Sequence, residues 1–477
     1  MNTEQWFRGE EFLYGCDYNP DQWLDCPEIL ARDIEMMKEL GINTVNLGIF
    51  SWSRMEPTLG DYEFDWLNRI LDALEAAKIG YFMATPGAAY PPYLATLYPE
   101  VLRMNRDGSR ENPVGRNNYC LTSPVLRKNL HLVCENLARE VRYRDGLRGW
   151  HLNNELSGEC CCPLCAARWR SFLKEKYGSL EALNHAWWSD FSGNRFAAWA
   201  DIPAPGPGYR VLPGMELDWQ RFTTLQQLDY LLTEKFAVTP LTHGRPVTHN
   251  SWRIFGNFDW RKFAPELDFM SADVYMQYQQ QPGDWMHAGY YALLYSIYRG
   301  MQESGHFGLM ETTASTAFVP PASRQKRPGQ LEANVMEAVA HGADLVSFFQ
   351  WRAGRGGIEQ YHGAIIGHDG RCDTRTGRDV AALGRALQAV KAVRGCRTPA
   401  EAVIFYDPEN SWLLDAATLP RKGIHLLTEA TAEMRAMLAC GVLADVTADA
   451  AMLSRYKLAV APLCYMLNAG TAAWLEA

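Results

Sequence analysis

No stretch of this 477-residue chain stays apolar for the roughly 20 residues that a bilayer-spanning helix needs. A membrane partner is therefore not expected. A basic surplus is missing too: 46 Lys and Arg stand against 55 Asp and Glu, a net charge of −9. Nucleic-acid binders favour a basic stripe, so that class of partner is set aside. The opening residues, Met1-Asn2-Thr3-Glu4-Gln5-Trp6, lack the basic segment and apolar run of a secretory leader, and a cytoplasmic location is expected. Internal repeats and low-complexity tracts are also missing, which excludes solenoids and repeat arrays.

What is present points to a large folded enzyme or binding protein. Hydrophobic residues make up 47%, enough for a sizeable core. Aromatics reach 12%, with 16 Trp, a bias that suits sugar sites and ordinary cores alike. Twelve Cys in a reducing compartment stay thiols, and a tight Cys cluster there is more often a metal site than a disulfide.

Short β-like runs alternate with amphipathic segments. The expected strands are Leu13 to Cys16, Thr44 to Gly48, Gly80 to Ala84, Trp150 to Asn154, Pro246 to His249, Phe269 to Ala272, Phe307 to Met310 and Leu345 to Gln350. Between them, stretches such as Ile29 to Leu40 place Ile34, Met37 and Leu40 on one helical face. Alternation of this kind argues for parallel βα units, and eight of them predict a (β/α)₈ TIM barrel. The gap between the fourth and fifth strands holds a Cys cluster and Ala186-Trp187-Trp188, and reads as an insertion over the active-site face. Arg394 to Pro399 reads as a linker. Beyond it, Ala402 to Tyr406 and Leu458 to Ala461 are expected strands flanking a helix at Gly423 to Cys440. This tail reads as a truncated α/β, Rossmann-like domain. The expected division is a catalytic barrel over 1–396 and a partial second domain over 397–477.

Two glutamates close strand-like runs: Glu155 in Trp150-His151-Leu152-Asn153-Asn154-Glu155, and Glu311 in Phe307-Gly308-Leu309-Met310-Glu311. In a parallel barrel the C-terminal strand ends share one rim. Two carboxylates delivered there are what glycoside hydrolysis needs. Asn154, beside Glu155, is placed to bond a sugar hydroxyl. Glu359 and His362, three residues apart after the eighth strand, either grip hydroxyls of one sugar or form a solvated loop pair. Arg116 lies in a polar loop, where most arginines are surface charges. Cys160, Cys162 and Cys165 form a C-x-C-x-x-C set that can wrap a tetrahedral zinc ion, with Cys120 as candidate fourth ligand and Cys161 as a substitute. The competing reading is a redox pair at Cys162 and Cys165, or free thiols. An all-thiolate site leaves no open position, so such zinc would be structural.

These motifs together resemble glycoside hydrolase family 42, the bacterial β-galactosidases. The similarity runs through Tyr14 to Trp23, Phe50 to Pro57, Tyr98-Pro99-Glu100, Arg116 to Pro124, Trp150 to Glu155, Met310-Glu311 and Phe349 to His362. The resemblance implies a retaining mechanism that releases terminal non-reducing β-D-galactose. It makes Glu155 the acid/base and Glu311 the nucleophile. It also implies that Arg116, Asn154, Glu359 and His362 bind the sugar, and that Cys120, Cys160, Cys162 and Cys165 hold structural zinc. The tail resembles the start of the family's trimerisation domain, which implies a homotrimer. Two departures stand out: Ser192 and Val319 occupy positions where the family usually has Trp. Phe318 and Trp188 are the candidates to compensate. An α-L-arabinopyranosidase with the same two-glutamate chemistry is the alternative activity. A non-hydrolytic carbohydrate-binding barrel is the alternative class.

Overall fold

The computed structural model describes residues 11–476 apart from 209–211, 243, 253, 257, 279–283, 303 and 318–322, and leaves the side chains of 192, 284 and 475 undescribed. Eight parallel strands close into a barrel in sequence order. They are β1 (Leu13–Tyr18), β2 (Thr44–Leu47), β3 (Gly80–Ala84), β4 (Leu147–His151), β5 (Val247–Ser251), β6 (Phe269–Asp273), β7 (Phe307–Glu311) and β8 (Ala343–Phe348). Nearly every strand residue is buried, because the barrel interior covers one face and helices the other. Leu13, Phe82, Phe269, Met310 and Leu345 pack together as one apolar cluster.

The surrounding helices follow from apolar spacing. In Asp65–Ala76, Trp66, Leu67, Ile70, Leu71 and Leu74 form one buried stripe. Helix Pro27–Leu40 starts on Pro and stops at Gly41, whose φ of 76° allows its N–H to turn back onto Lys38 and Met37 carbonyls. Its buried Asp33 receives Arg352 from the β8 loop and the Tyr18 hydroxyl (3.2 Å), tying that loop to the barrel wall. One βα unit departs from the expected alternation. Among the described residues, only two single 3₁₀ turns, Trp260–Lys262 and Ala264–Glu266, join β5 to β6.

The insertion after β4 is helical, with Pro163–Tyr177 and Leu180–Trp187 followed by the long helix Pro213–Val238. It has its own core, in which Trp169 stacks on Trp187 (6.1 Å) and meets Trp219 edge-on (5.2 Å). Buried Asp218 collects the Tyr177 hydroxyl (2.5 Å), the Trp187 indole (3.0 Å), Lys176 and Arg221.

The tail forms a three-stranded parallel sheet in the order β10-β9-β11, with β9 at Ala402–Phe405, β10 at Ala444–Thr447 and β11 at Leu458–Val460. The strand β10 and the helix Pro408–Ala416 were not expected. Both are short segments without clear periodicity. The tail shares a core with the barrel: Ala292 and Leu293 of helix Asp284–Gly300 pack with Ile404, Leu426 and Met434. Arg299, only 2% exposed, pairs with Asp445 (2.7 Å) and bonds the Ala444 carbonyl (3.0 Å). Among the described residues no helix is long and apolar enough to cross a membrane.

Candidate active site and cysteine cluster

A cavity of about 390 Å³ opens at the C-terminal ends of the strands. Arg116, Glu155, Glu311, Glu359 and His362 all line it, so five of the expected site residues meet in one place. Asn154 sits just behind, its amide oxygen 2.9 Å from Asn250 Nδ2. Carboxyl oxygens of Glu155, Glu311 and Asp273 lie within 4.8 Å of one another.

The two glutamates arrive differently. Glu311 is the last residue of β7. Glu155 is not at a strand end: β4 stops at His151, three residues earlier than expected, and the chain then turns through Asn153 (φ 56°) and Glu155 (φ 46°). Non-glycine residues in this region are uncommon and persist where surrounding contacts dictate them. Here those contacts are explicit. The Asn153 side chain donates to Glu234 Oε1 (2.6 Å), its backbone N–H donates to Thr85 Oγ1 (2.7 Å), and the Glu155 N–H donates to Asn250 Oδ1 (3.1 Å).

Burial is the first influence on the carboxyls of Glu155, Glu311 and Asp273. It raises Glu155, an effect that nearby Arg116 opposes. It raises Glu311 well above the carboxylate range, helped by the charges of Asp17 and Glu155, and it raises Asp273 likewise. Such a cluster holds protons in common. The donors are unevenly shared. The Tyr275 hydroxyl donates to Glu311 Oε2, and Asn250 Nδ2 lies 3.1 Å from Glu311 Oε1. The Glu155 side chain has Arg116 at 3.7 Å. Hydrogen bonds to the charged form favour it, so these two donors offset part of what burial costs the Glu311 anion.

Arg116 is not an isolated surface charge: its side chain stays 42% exposed, yet it lines the cavity. It spans Glu155 (3.7 Å) and Glu359 (3.4 Å) and lies over the Phe50 ring at 5.5 Å. Glu359 in turn meets His362 at 3.4 Å, and His362 rests between Tyr275 (5.0 Å) and Phe349 (4.8 Å). The solvated-pair reading of Glu359 and His362 is thereby replaced by a cavity wall. Val319 and Phe318 lie outside the described residues, as does the Ser192 side chain. Trp188 is 72% exposed and does not line the cavity; Trp252, Tyr290 and Tyr291 do.

Reading the sequence missed Asp273, Tyr275, Asn250 and Glu234. Asp273 carried a usable signal, since it follows the expected strand Phe269 to Ala272 as the glutamates follow theirs. A register shift between Ala272 and Asp273 sets Asp273 opposite Glu311, and bulges near sites re-aim side chains in this way. Glu234 carried none, lying 81 residues from Asn153 in sequence.

Glu234 gives a stability prediction. Burial pushes its carboxyl from the ordinary 4.5 up to about 8. Its contribution is therefore full below about pH 4.5 and is lost as pH rises through about 8. Glu234→Ala should destabilise by about 2–4 kcal/mol at pH 5, because it strands Asn153 and Thr85. The gap to wild type should narrow toward pH 8. Thermal midpoints of both proteins at the two pH values check this, and a gap independent of pH refutes it.

A second cluster lies at the base of the insertion. The Sγ atoms of Cys120, Cys160, Cys162 and Cys165 lie within 4.8 Å of one another, all buried, and can hold a metal ion. Cys120 is 3.5 Å from Cys162 and 3.6 Å from Cys165, well beyond a disulfide bond. The Met104 N–H points at Cys160 Sγ (3.4 Å) and the Thr122 hydroxyl is 3.1 Å from Cys165 Sγ. Cys161 is no substitute ligand, since its thiol turns away to the Pro205 carbonyl (3.7 Å).

Residues 17–390 match the glycoside hydrolase family 42 β-galactosidase domain. The chain belongs to this family. Residues 400–477 match the β-galactosidase trimerisation domain. A β-galactosidase of Alicyclobacillus acidocaldarius is 39% identical over 468 residues, covering 98% of this chain and 68% of the relative. One from Bacillus subtilis is 36% identical over 478 residues, covering 98% of this chain and 70% of that one. The crystal structure of a β-galactosidase from Rahnella sp. R3 superposes with a TM-score of 0.96 at 39% identity, covering 98% of this chain and 69% of that one. Family 42 enzymes retain anomeric configuration.

Proposed function

We infer that this chain is a retaining β-galactosidase that releases terminal, non-reducing β-D-galactose. Family membership supports the reaction. The observation that carries the residue roles is the close approach of Glu155 and Glu311, with carboxyl oxygens within 4.8 Å. Retaining glycosidases hold their carboxyl groups about 5–5.5 Å apart, whereas inverting ones leave room for water at about 6.5–9.5 Å. Glu311 attacks the anomeric carbon while Glu155 gives its proton to the departing glycosidic oxygen. The glycosyl–Glu311 ester is then cleaved by water, from which Glu155 takes a proton. Glu155 suits the acid role because burial raises its carboxyl above the ordinary value, the direction a general acid needs. Arg116, Asn154, Glu359 and His362 hold the sugar hydroxyls. Arg116 also neutralises charge that builds on Glu155 as it loses its proton.

The cysteine cluster holds zinc in a structural role. Four thiolates at about 2.3 Å from a tetrahedral ion stand about 3.8 Å apart, close to the separations found here. No ligand position remains for water, so the ion fastens the β3 loop to the insertion rather than taking part in hydrolysis. The trimerisation domain supports a homotrimer, which sedimentation would reveal. An all-thiol set of cysteines suits a cytoplasmic enzyme, and cell fractionation tests that location.

Aryl glycosides test the substrate. β-D-Galactopyranoside should be hydrolysed at least about 10-fold faster, in kcat/KM, than α-L-arabinopyranoside. The arabinoside has the same ring configuration without the hydroxymethyl group, and contacts to one such group are worth roughly 1–3 kcal/mol. A faster rate on the arabinoside would reverse the assignment.

A further inference from the structure

Asn250, the fourth residue of β5, is fully buried beneath the two glutamates. Its amide oxygen accepts from the Glu155 backbone N–H (3.1 Å) and from His151 Nε2 (2.8 Å). A backbone N–H can only donate, so this end of the amide must be the oxygen. The NH₂ end therefore faces the acceptors: Asn154 Oδ1 (2.9 Å), Asp273 Oδ2 (2.6 Å) and Glu311 Oε1 (3.1 Å).

A buried chain enforces the same orientation. With Nε2 donating to Asn250, His151 Nδ1 accepts from Asn46 Nδ2 (2.8 Å), which also donates to Asp17 Oδ1 (2.9 Å). Asp17, Asn46 and His151 are at most 2% exposed, and none touches the cavity. Burial lowers His151 to about 4, so it stays neutral and keeps this tautomer at working pH. The chain crosses the barrel interior from β1 through β2 and β4 to β5.

We propose that Asn250 is a positioning residue for the hydrolysis: its amide, oriented by the Asp17–Asn46–His151 chain, stabilises the charged Glu311 carboxylate and ties it to the backbone that carries Glu155. One NH₂ group thus serves the nucleophile while the opposite oxygen anchors the acid/base loop. Rotating the amide would break both contacts at once. This inference rests on the roles given above to Glu311 and Glu155.

The groups facing Glu311 are Asp17 from β1, Arg116 from the β3 loop, Glu155 from the β4 loop, and Asp273 and Tyr275 from β6 and its loop. Glu359 and His362 stand across the cavity. Asn250→Asp keeps the size and the acceptor oxygen but replaces the donor with a carboxyl. Losing a donor to Glu311 and gaining a nearby acid both disfavour the Glu311 anion. The acidic limb of the pH profile of kcat/KM on an aryl β-galactoside should move up by about one pH unit or more. At the optimum, kcat/KM should fall by about 100-fold. His151→Phe, which frees the amide without removing it, should shift the limb in the same direction by less.

A purely structural role would lower the thermal midpoint and leave the limb of the folded enzyme unmoved, which overturns the proposal. If Asn250→Asp does not fold, the limbs of Asn250→Ser and His151→Phe decide in the same way. Glu311→Ala serves as control. Full activity there overturns the nucleophile assignment itself. An inactive Glu311→Ala with unmoved limbs in the Asn250 variants overturns only the present inference.

Discussion

Glu311→Ala is expected to lower kcat on an aryl β-galactoside by at least about 10⁴-fold while leaving the protein folded. Glu311 is the nucleophile in the proposed mechanism, and its oxygens are held by Tyr275 and Asn250 at the end of β7. Alanine offers no atom to attack the anomeric carbon, and the remaining carboxyl groups stand on other strands. The fold should survive, because the lost group is a buried acid crowded by Asp17, Glu155 and Asp273. Added azide gives a sharper test. In Glu311→Ala, azide can occupy the vacated space and displace the leaving group from the opposite face, yielding the α-galactosyl azide. In Glu155→Ala, the glycosyl-enzyme still forms on substrates with good leaving groups, and azide then yields the β-galactosyl azide. Products with these configurations exchanged would reverse the two roles. Retention of full activity in Glu311→Ala would remove Glu311 from the mechanism.

Loss of the metal should be the largest single effect on stability. Cys162→Ala is expected to destabilise by about 4 kcal/mol or more, the size characteristic of losing a structural metal site. Cys120 follows β3, while Cys160, Cys162 and Cys165 follow β4, so one ion held by all four would close two long loops at once. Cys162 also immediately precedes the helix Pro163–Tyr177, which begins the insertion. Metal analysis should find one zinc per chain in the wild type and none in the variant. Chelation should lower the wild-type thermal midpoint toward that of the variant, and turnover should decline only as the protein unfolds. A metal-free wild type with an unchanged midpoint would refute the assignment. Rapid, reversible loss of turnover with the fold intact would instead argue for a direct role in the reaction.

The barrel was legible because short strand-like runs such as Leu13 to Cys16 alternate with amphipathic segments such as Asp65 to Lys78. The glutamates were legible through a single topological rule, that strand ends share a rim. That rule described Glu311 well and Glu155 only loosely. The β4 loop reaches its place through positive φ at Asn153 and Glu155, and the supporting partners Glu234, Thr85 and Asn250 are 68 to 95 residues away in sequence. Cys120 was found because thiolates announce themselves by type. Asn250 was not, because a buried amide has no distinguishing spacing. The β10 strand was missed for a related reason: four residues carry too little pattern to stand out.

By itself, the sequence determined the parallel barrel, the pair of glutamates and the four cysteines, since these depend on local periodicity and residue chemistry. Only the tertiary structure decided which donors face Glu311, how the Asn250 amide is turned, and that Arg116 lines the cavity between Glu155 and Glu359. Those properties arise from burial and from hydrogen bonds between distant strands, and neither exists until the barrel has closed.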